Sequence, residues 1–215
     1  MEQTKKIKKR QEEMIITDKN KITQVCEPCK SIEEGEEIGK QLIEELVNSK
    51  SGIGLAANQI GINKRVCVVN VKEPVVLVNP KIVEKSEDKF AFMEGCLSFP
   101  TDTVKTTRYK WVKVQADNHT STLYFSIWHD DSEDGYDKDK YIQTAYETAC
   151  VQHEIDHLDG ITMHDRELVL EPWKRKNDKI GRNTKVLIKK GSETKTIKYK
   201  KFEKMQGDGW ILAEV

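Results

Sequence analysis

Apolar residues recur along this chain with two different periods. Between Glu33 and Asn48 they return every three or four positions, which predicts an amphipathic helix. Shorter apolar segments follow, separated by Gly, Pro, Asn and charged residues, and these predict β-strands. The predicted strands cover residues 65–69, 74–78, 81–84, 104–108, 110–115 and 123–128. An antiparallel sheet is therefore expected to begin near residue 65.

The C-terminal segment carries a pattern of its own. Strands are predicted at residues 185–189 and 195–199, with a turn at Gly191 between them. Residues 172–215 contain 13 Lys and Arg against 5 Asp and Glu, a net charge of +8. The rest of the chain carries −8. We expect a polar extension at 1–13, a main domain at 14–171 and a small basic appendage at 172–215.

Composition narrows the classes of protein that fit. A length of 215 residues suits one well-cored domain with a small appendage. The longest apolar run, Pro74 to Val78, is far too short to span a membrane. Five cysteines, with no apolar leader segment at the N-terminus, indicate a reducing compartment and no disulfide framework. The cytoplasm is the expected location.

Candidate chemistry is concentrated in the segment from Thr148 to Gly160, which contains HEIDH. Good helix formers and a terminal glycine predict a helix here. Residues four apart lie on the same helical face, so His153 and His157 can bind one metal ion. Glu154 would then lie beside the open side of that metal. This arrangement is typical of metal-dependent hydrolases.

A metal centre of this kind needs a third protein ligand and an open position for water. Two candidates remain from the residues alone. A metzincin-type peptidase would take a histidine downstream, but Met163 stands at that position and His164 is one residue late. The alternative is Cys96, far upstream, which would give a Cys-His-His site. Taken alone, Cys96 could equally be a buried apolar cysteine.

Three motifs together carry a family resemblance. GIGLAANQ, EGCLS and QHEIDH, in this order, resemble the three signature motifs of the peptide deformylases. The similarity covers roughly Met14 to Arg166, whereas the basic C-terminal segment resembles nothing in the core family. The resemblance implies an α+β fold in which antiparallel β-sheets surround a central helix that carries HExxH. It also implies hydrolysis of the N-formyl group of formyl-methionyl peptides, with release of formate.

The resemblance also implies a role for each matching residue. Three residues match the metal ligands: Cys96, His153 and His157. Glu154 matches the catalytic acid/base, and Gln59 and the backbone of Leu97 match the groups that stabilise the developing oxyanion. Gly54 would contact the substrate through its backbone, and Ile53 would line the pocket for the methionine side chain.

The expected cofactor is one divalent metal ion. The resemblance implies Fe²⁺, with Zn²⁺, Ni²⁺ or Co²⁺ able to occupy the site, whereas one thiolate and two imidazoles alone suggest zinc. The expected partners are formyl-methionyl nascent peptides and, through the basic appendage, the ribosome. Two alternatives remain: an HExxH metallopeptidase, and an inactive deformylase-like binding protein that acts through its basic tail.

Overall fold

The computed structural model describes residues 15–49, 52–128, 137–169 and 182–213. The chain divides into two compact units, Met1–Val169 and Leu170–Val215. The predicted extension at 1–13 and most of the acidic segment at 129–140 lie outside the described residues. The division into a catalytic domain ending at residue 171 and a separate appendage stays a prediction.

The first unit contains three antiparallel sheets in its described residues. Its strands are β1 (Gly54–Ala56), β2 (Val66–Val69), β3 (Val75–Val78), β4 (Lys81–Lys85), β5 (Lys89–Cys96), β6 (Phe99–Tyr109), β7 (Trp111–Gln115) and β8 (Leu123–Ser126). They form sheets in the orders β1-β2-β3, β4-β7-β8 and β5-β6, and every pairing is antiparallel. Together with the helices, this confirms the predicted α+β class.

In the described residues of the first unit, three α-helices accompany these strands. They are α1 (Lys19–Ile22), α2 (Ile32–Ser49) and α3 (Lys138–Leu158). The predicted amphipathic helix corresponds to α2, which buries Ile38, Leu42 and Leu46 against β1, β2 and β3. Short 3-10 turns follow β1 at Ala57–Ile60 and α3 at Met163–Arg166.

The helix that carries HEIDH is longer than its motif predicted. It begins at Lys138, ten residues before Thr148, and the side chain of Asp137 caps its start by accepting a hydrogen bond from the backbone N–H of Lys140. All residues from 148 to 158 are buried. The helix packs against β1, β2, β6 and β8, so strands of all three sheets contact it. Gly160 follows with φ of 72°, the left-handed conformation that favours glycine.

A strand that ends at Cys96 was not among the predicted strands. Residues 89–96 form β5, which pairs with β6 in a long hairpin. The register shifts between Gly95 and Cys96, so the strand ends in an irregular pairing of Cys96 with Phe99. Alternate residues of a strand point to opposite faces. Phe92, Glu94 and Cys96 therefore share one face of β5.

Between residues 182 and 213, the second unit forms a small sheet with one α-helix. It contains β9 (Lys185–Lys190), β10 (Glu193–Lys198), α4 (Tyr199–Met205), a 3-10 turn at Gln206–Asp208 and β11 (Ile211–Leu212). The strands lie in the order β10-β9-β11 and pair antiparallel. Ile188, Phe202 and Trp210 form its buried core. The two predicted strands are present, and α4 and β11 complete the unit.

Across the described part of the chain, no helix combines the length and the apolar character that crossing a membrane requires.

Candidate metal centre and active site

Helix α3 brings two imidazoles together. His153 and His157 lie one turn apart on the same face of α3, and their Nε2 atoms are 3.1 Å apart. Both side chains are buried. Their rings meet nearly edge to face, with centroids separated by 4.8 Å. Two nitrogen lone pairs can therefore converge on one point.

Strand β5 supplies a sulfur to the same point. Sγ of Cys96 lies 3.3 Å from Nε2 of His157. One potential ligand atom from each of Cys96, His153 and His157 lies within 4.8 Å of the others. Among the described residues, Cys96, His153 and His157 are the side chains whose donor atoms lie close enough together to hold a metal ion.

The spacing of these three donors fits a metal ion. Nitrogen and sulfur ligands at about 2.0–2.3 Å from a tetrahedral metal are themselves about 3.3–3.6 Å apart. The observed separations of 3.1 and 3.3 Å are close to these values. The donor set of one thiolate and two imidazoles is also one that transition metals accept. The residues present therefore fit a divalent metal.

The surroundings affect the protonation of the two histidines in opposite directions. Burial lowers the pKa of His153, but hydrogen bonds to Cys96 and Glu94 outweigh this effect and raise the pKa to about 10. Burial and the neighbouring charge of His153 lower the pKa of His157 well below its usual value. The surroundings thus stabilise a positive charge on His153 and leave His157 neutral.

A buried carboxylate orients the first histidine. Nδ1 of His153 lies 2.7 Å from Oε2 of Glu94. The other ring nitrogen, Nε2, is therefore the one that can bind a metal ion. Burial opposes ionisation of Glu94, but hydrogen bonds from Arg108 and His153 outweigh it and lower the pKa of Glu94 to about 2. A carboxylate behind a metal-binding imidazole fixes its tautomer and makes it a stronger ligand.

Arg108 connects this carboxylate to helix α3. Its guanidinium donates to both carboxylate oxygens of Glu94, at 2.6 and 2.8 Å, and also to Asp156. All three side chains are buried. Arg166 donates to both oxygens of Asp156, at 2.9 and 2.7 Å. Two arginines and two carboxylates thus link β5, β6 and α3 behind the metal ligands.

Glu154 lies beside the histidines with one oxygen unpaired. Its Oε2 is buried and has no hydrogen-bond partner within the described residues. Burial raises the pKa of Glu154 to about 7, although the charge of His153 opposes the shift. A cation close to this carboxylate would lower its pKa again. Without a cation nearby, Glu154 can accept or release a proton near neutral pH.

Gln59 directs an amide into the same site. Its Oε1 accepts a hydrogen bond from the backbone N–H of Ala56 at 2.9 Å, which fixes the orientation of the amide. Its Nε2 then donates towards Ser98 Oγ at 3.2 Å and Cys96 Sγ at 3.4 Å. Leu97 lines the same cavity. Gln59 thus presents a fixed donor beside the sulfur.

A cavity of about 450 Å³ opens over these groups. Ile53 and Gly54 line it together with the candidate metal ligands Cys96 and His153. A Cβ atom at Gly54 would clash with the carboxylate of Glu154 and the sulfur of Cys150. The absence of a side chain at Gly54 therefore lets β1 pass close to α3.

Comparison with known proteins explains this combination of sequence and geometry. The family model for polypeptide deformylase matches residues 12–176. The chain belongs to the polypeptide deformylase family. A peptide deformylase of Finegoldia magna is 34% identical over 137 residues, which cover 61% of this chain and 75% of the relative. The peptide deformylase of Heliobacterium modesticaldum is 40% identical over 130 residues, which cover 59% of this chain and 76% of the relative.

Solved deformylase structures share the fold. A probable peptide deformylase from Synechococcus phage S-SSM7 is 35% identical with a TM-score of 0.55, and covers 71% of this chain and 96% of its own. The peptide deformylase of Thermotoga maritima is 29% identical with a TM-score of 0.56, and the match covers 71% of this chain and 95% of the solved one. The chain is therefore an enzyme of the peptide deformylase family, and its Cys-His-His group is consistent with the divalent metal of a deformylase.

Sequence reasoning located some members of this site and missed others. The structure brings Cys96, His153, His157, Glu154 and Gln59 together, and Leu97, Gly54 and Ile53 line the cavity. His164, the alternative third ligand, pairs instead with Asp102 at 3.0 Å. Reasoning from the residues did not find Glu94, Arg108, Asp156 and Arg166. Glu94 could have been found from its position two residues before Cys96, because residues two apart in a strand share one face.

Proposed function

We propose that this enzyme removes the N-formyl group from the formyl-methionine of nascent peptides and releases formate and a free N-terminus. The observation that carries the proposal is the meeting of Cys96, His153 and His157 beside the buried carboxylate of Glu154, at one side of an apolar cavity. Membership of the deformylase family supports the same reaction.

The three donors would hold one divalent metal, which we propose is Fe²⁺. Such a metal polarises water so that hydroxide is available at neutral pH. The donor set also suits Zn²⁺. Behind the site, Glu94 keeps the ring of His153 in one orientation, so the geometry of the ligands does not depend on the metal alone.

Glu154 would move the proton. Glu154 follows the proposed ligand His153 in sequence and lines the cavity, and its Oε2 has no hydrogen-bond partner among the described residues. It would take a proton from the attacking water and pass it to the leaving amine. General acid/base catalysis of this kind typically contributes about 10²–10⁴-fold to the rate.

Gln59 and the backbone N–H of Leu97 would stabilise the negative charge that develops on the formyl oxygen. The hydrogen bond from Ala56 holds the Gln59 amide in place before the substrate binds. Removing one donor of this type typically costs about 10²–10³-fold in rate. Gly54 would pair with the peptide backbone of the substrate, and Ile53 would contact the methionine side chain.

The decisive experiment measures formate release from a formyl-Met peptide. Protein purified anaerobically with iron should release formate and should leave internal peptide bonds of an unformylated peptide intact. Zinc, nickel and cobalt replacement would rank the metals. Cleavage of internal bonds without formate would favour the metallopeptidase, and no turnover with full metal content would favour the inactive binding protein.

We also propose that the second unit docks the enzyme on the ribosome through RNA phosphates. Residues 182–213 contain nine Lys and Arg against three Asp and Glu, a net charge of +6. Ile188 is buried, so by strand alternation Lys185 and Lys189 lie on the opposite face of β9. Lys198 on β10 pairs directly with Lys185. In the described part of β9 and β10, this face carries Leu187, Thr194 and Thr196 beside the lysines, and no carboxylate.

Replacing Lys185, Lys189 and Lys198 together by Gln should weaken cosedimentation with ribosomes at low salt. The matched control replaces Lys200, Lys201 and Lys204, three exposed residues of α4, by Gln and removes the same charge. Binding through phosphates weakens steeply as salt rises. Equal loss in the two triple variants would show that net charge, and not this face, decides the binding. No loss in either would exclude the docking role.

A further inference from the structure

Two aromatic rings line the cavity beside the metal ligands. Phe92 of β5 and Tyr146 of α3 meet edge to face, with ring centroids 5.0 Å apart and planes at 88°. Both residues line the cavity. Phe92 shares its strand face with Cys96, so the same strand that supplies the sulfur also supplies one ring.

Helix α3 places the second ring on the stripe that carries the histidines. Tyr146, Ala149, Cys150 and His153 follow the i, i+3, i+4, i+7 spacing of one helical face, and all four line the cavity. Ala149 contributes only a methyl group to the lining. The thiol of Cys150 already donates to the backbone carbonyl of Ile53 at 3.3 Å. These two residues of the stripe therefore present no unpaired polar hydrogen to a bound side chain.

A thioether fits the cavity wall beside the two rings better than a hydrocarbon chain of the same length. A sulfur about 5 Å from an aromatic ring, often at its edge, gains a contact that a methylene group does not make. Two rings set edge to face offer such positions on both. Methionine and norleucine differ only in the replacement of sulfur by a methylene group, so a change in their ratio when a ring is removed reports on this contact.

We propose that the Phe92–Tyr146 pair is the specificity-determining element that selects the thioether of a substrate's first residue over an unbranched hydrocarbon chain. This inference rests on the proposed deformylation, because the cavity then receives the side chain that follows the formyl group. The two rings would distinguish the side chains of different substrates, which the proposed metal ligands cannot do because they hold the metal at the formyl end.

The test compares kcat/KM for two tripeptides that begin with formyl-methionine or formyl-norleucine and are otherwise identical. The wild-type enzyme should prefer methionine by about two- to twelvefold, the range expected for sulfur–aromatic contacts. Tyr146→Leu and Phe92→Leu should each bring the ratio towards one, whereas Tyr146→Phe, which keeps the ring, should retain it. The ratio cancels losses common to both substrates, such as looser packing or lower metal content.

Phe90→Leu is the matched control. Phe90 contacts Phe92, with ring centroids 5.8 Å apart, but is not among the residues that line the cavity. It should therefore leave the ratio unchanged. Equal rates for the two substrates in the wild-type enzyme, or an unchanged ratio in both leucine variants, would overturn the proposal.

A binding measurement keeps this test separate from the proposed reaction. Fluorescence anisotropy of labelled, unformylated peptides that begin with methionine or norleucine gives the same comparison without turnover. If no formyl peptide releases formate but methionine still binds more tightly and the preference needs both rings, the deformylation proposal fails and the aromatic proposal stands. If formate is released and neither rate nor binding distinguishes the two side chains, only the aromatic proposal fails.

Discussion

Oε2 of Glu94 lies 2.7 Å from Nδ1 of His153, and both residues are buried. The carboxylate is itself held by two hydrogen bonds from Arg108, at 2.6 and 2.8 Å. The orientation of the His153 ring is thus fixed by a carboxylate that Arg108 holds in place. We therefore expect the metal affinity of the site to depend on Glu94, although Glu94 is not one of the proposed ligands.

Glu94→Gln should weaken metal binding about 10- to 100-fold, the usual effect of losing a carboxylate behind a histidine ligand. Competition with a chromophoric chelator measures this affinity, at a temperature where circular dichroism shows both proteins folded. Glu84→Gln is the matched control, because Glu84 forms an exposed ion pair with Lys113 at 2.7 Å. Unchanged affinity in the Glu94 variant would show that the hydrogen bond does not tune the ligand.

Cys96→Ser and Glu154→Gln should separate metal binding from catalysis. The first change removes a proposed ligand, so metal content and activity should fall together. The second leaves all three donors in place, so metal content should stay while turnover falls by about 10²–10⁴-fold. Atomic absorption and formate release on the same samples give both quantities. A Cys96 variant with full metal content would return His164 to consideration as the third ligand.

Gly54→Ala should disturb Glu154 directly. The added Cβ would clash with the Glu154 carboxylate and with Cys150, so the carboxylate must move. Overpacking of this kind typically costs about 1–3 kcal/mol in stability. Formate release should fall while bound metal remains. Gly95→Ala, where a Cβ would meet no atom within 4 Å, is the control for thermal stability.

Arg108→Met should destabilise the fold strongly. It leaves the carboxylates of Glu94 and Asp156 buried without their shared partner, and breaking a buried ion pair in this way typically costs about 3–5 kcal/mol. Urea unfolding would show a lower midpoint. Lys110→Met is the control, since its ion pair with Asp88 is exposed and should contribute within about 1 kcal/mol. Similar midpoints for the two variants would contradict the structural role of the buried network.

Trp210→Ala should unfold the second unit and spare the first. Trp210 is one of three buried core residues there, and removing a large aromatic side chain typically costs about 3–5 kcal/mol. Residues 182–213 should lose protection in hydrogen exchange, while formate release from a short peptide continues. Ile211→Ala, at an exposed position of the same unit, should keep the protection. Joint loss of protection and activity would show that the two units fold together.

Local sequence patterns predicted those parts of the site that local geometry determines. The spacing of His153 and His157 sufficed because a helix places residues four apart on one face. The start of α3 was missed because its first turns are polar and exposed, so apolar periodicity is absent there. Strand β5 was missed because the cysteine at its end was interpreted in isolation, although Phe90 and Phe92 already alternate with exposed residues.

The buried network behind the ligands could not be predicted in the same way. Arg108 is 14 residues from Glu94 and 48 residues from Asp156 along the chain, and their meeting depends on how β5, β6 and α3 pack. A charged residue in a sequence usually indicates exposure. Only the tertiary structure shows that these charges are buried and satisfy one another.

The ligands of the candidate metal centre come from two elements that are distant in the chain. Cys96 ends β5, whereas the two histidines lie on α3, and Cys96 is 61 residues from His157. The complete donor set therefore forms only after the β5-β6 hairpin has closed on the helix, a slow class of event because the contact is non-local. Metal loading should accordingly follow folding in time. A chelator added during refolding should then leave the approach to native secondary structure unchanged and prevent only the final gain of activity.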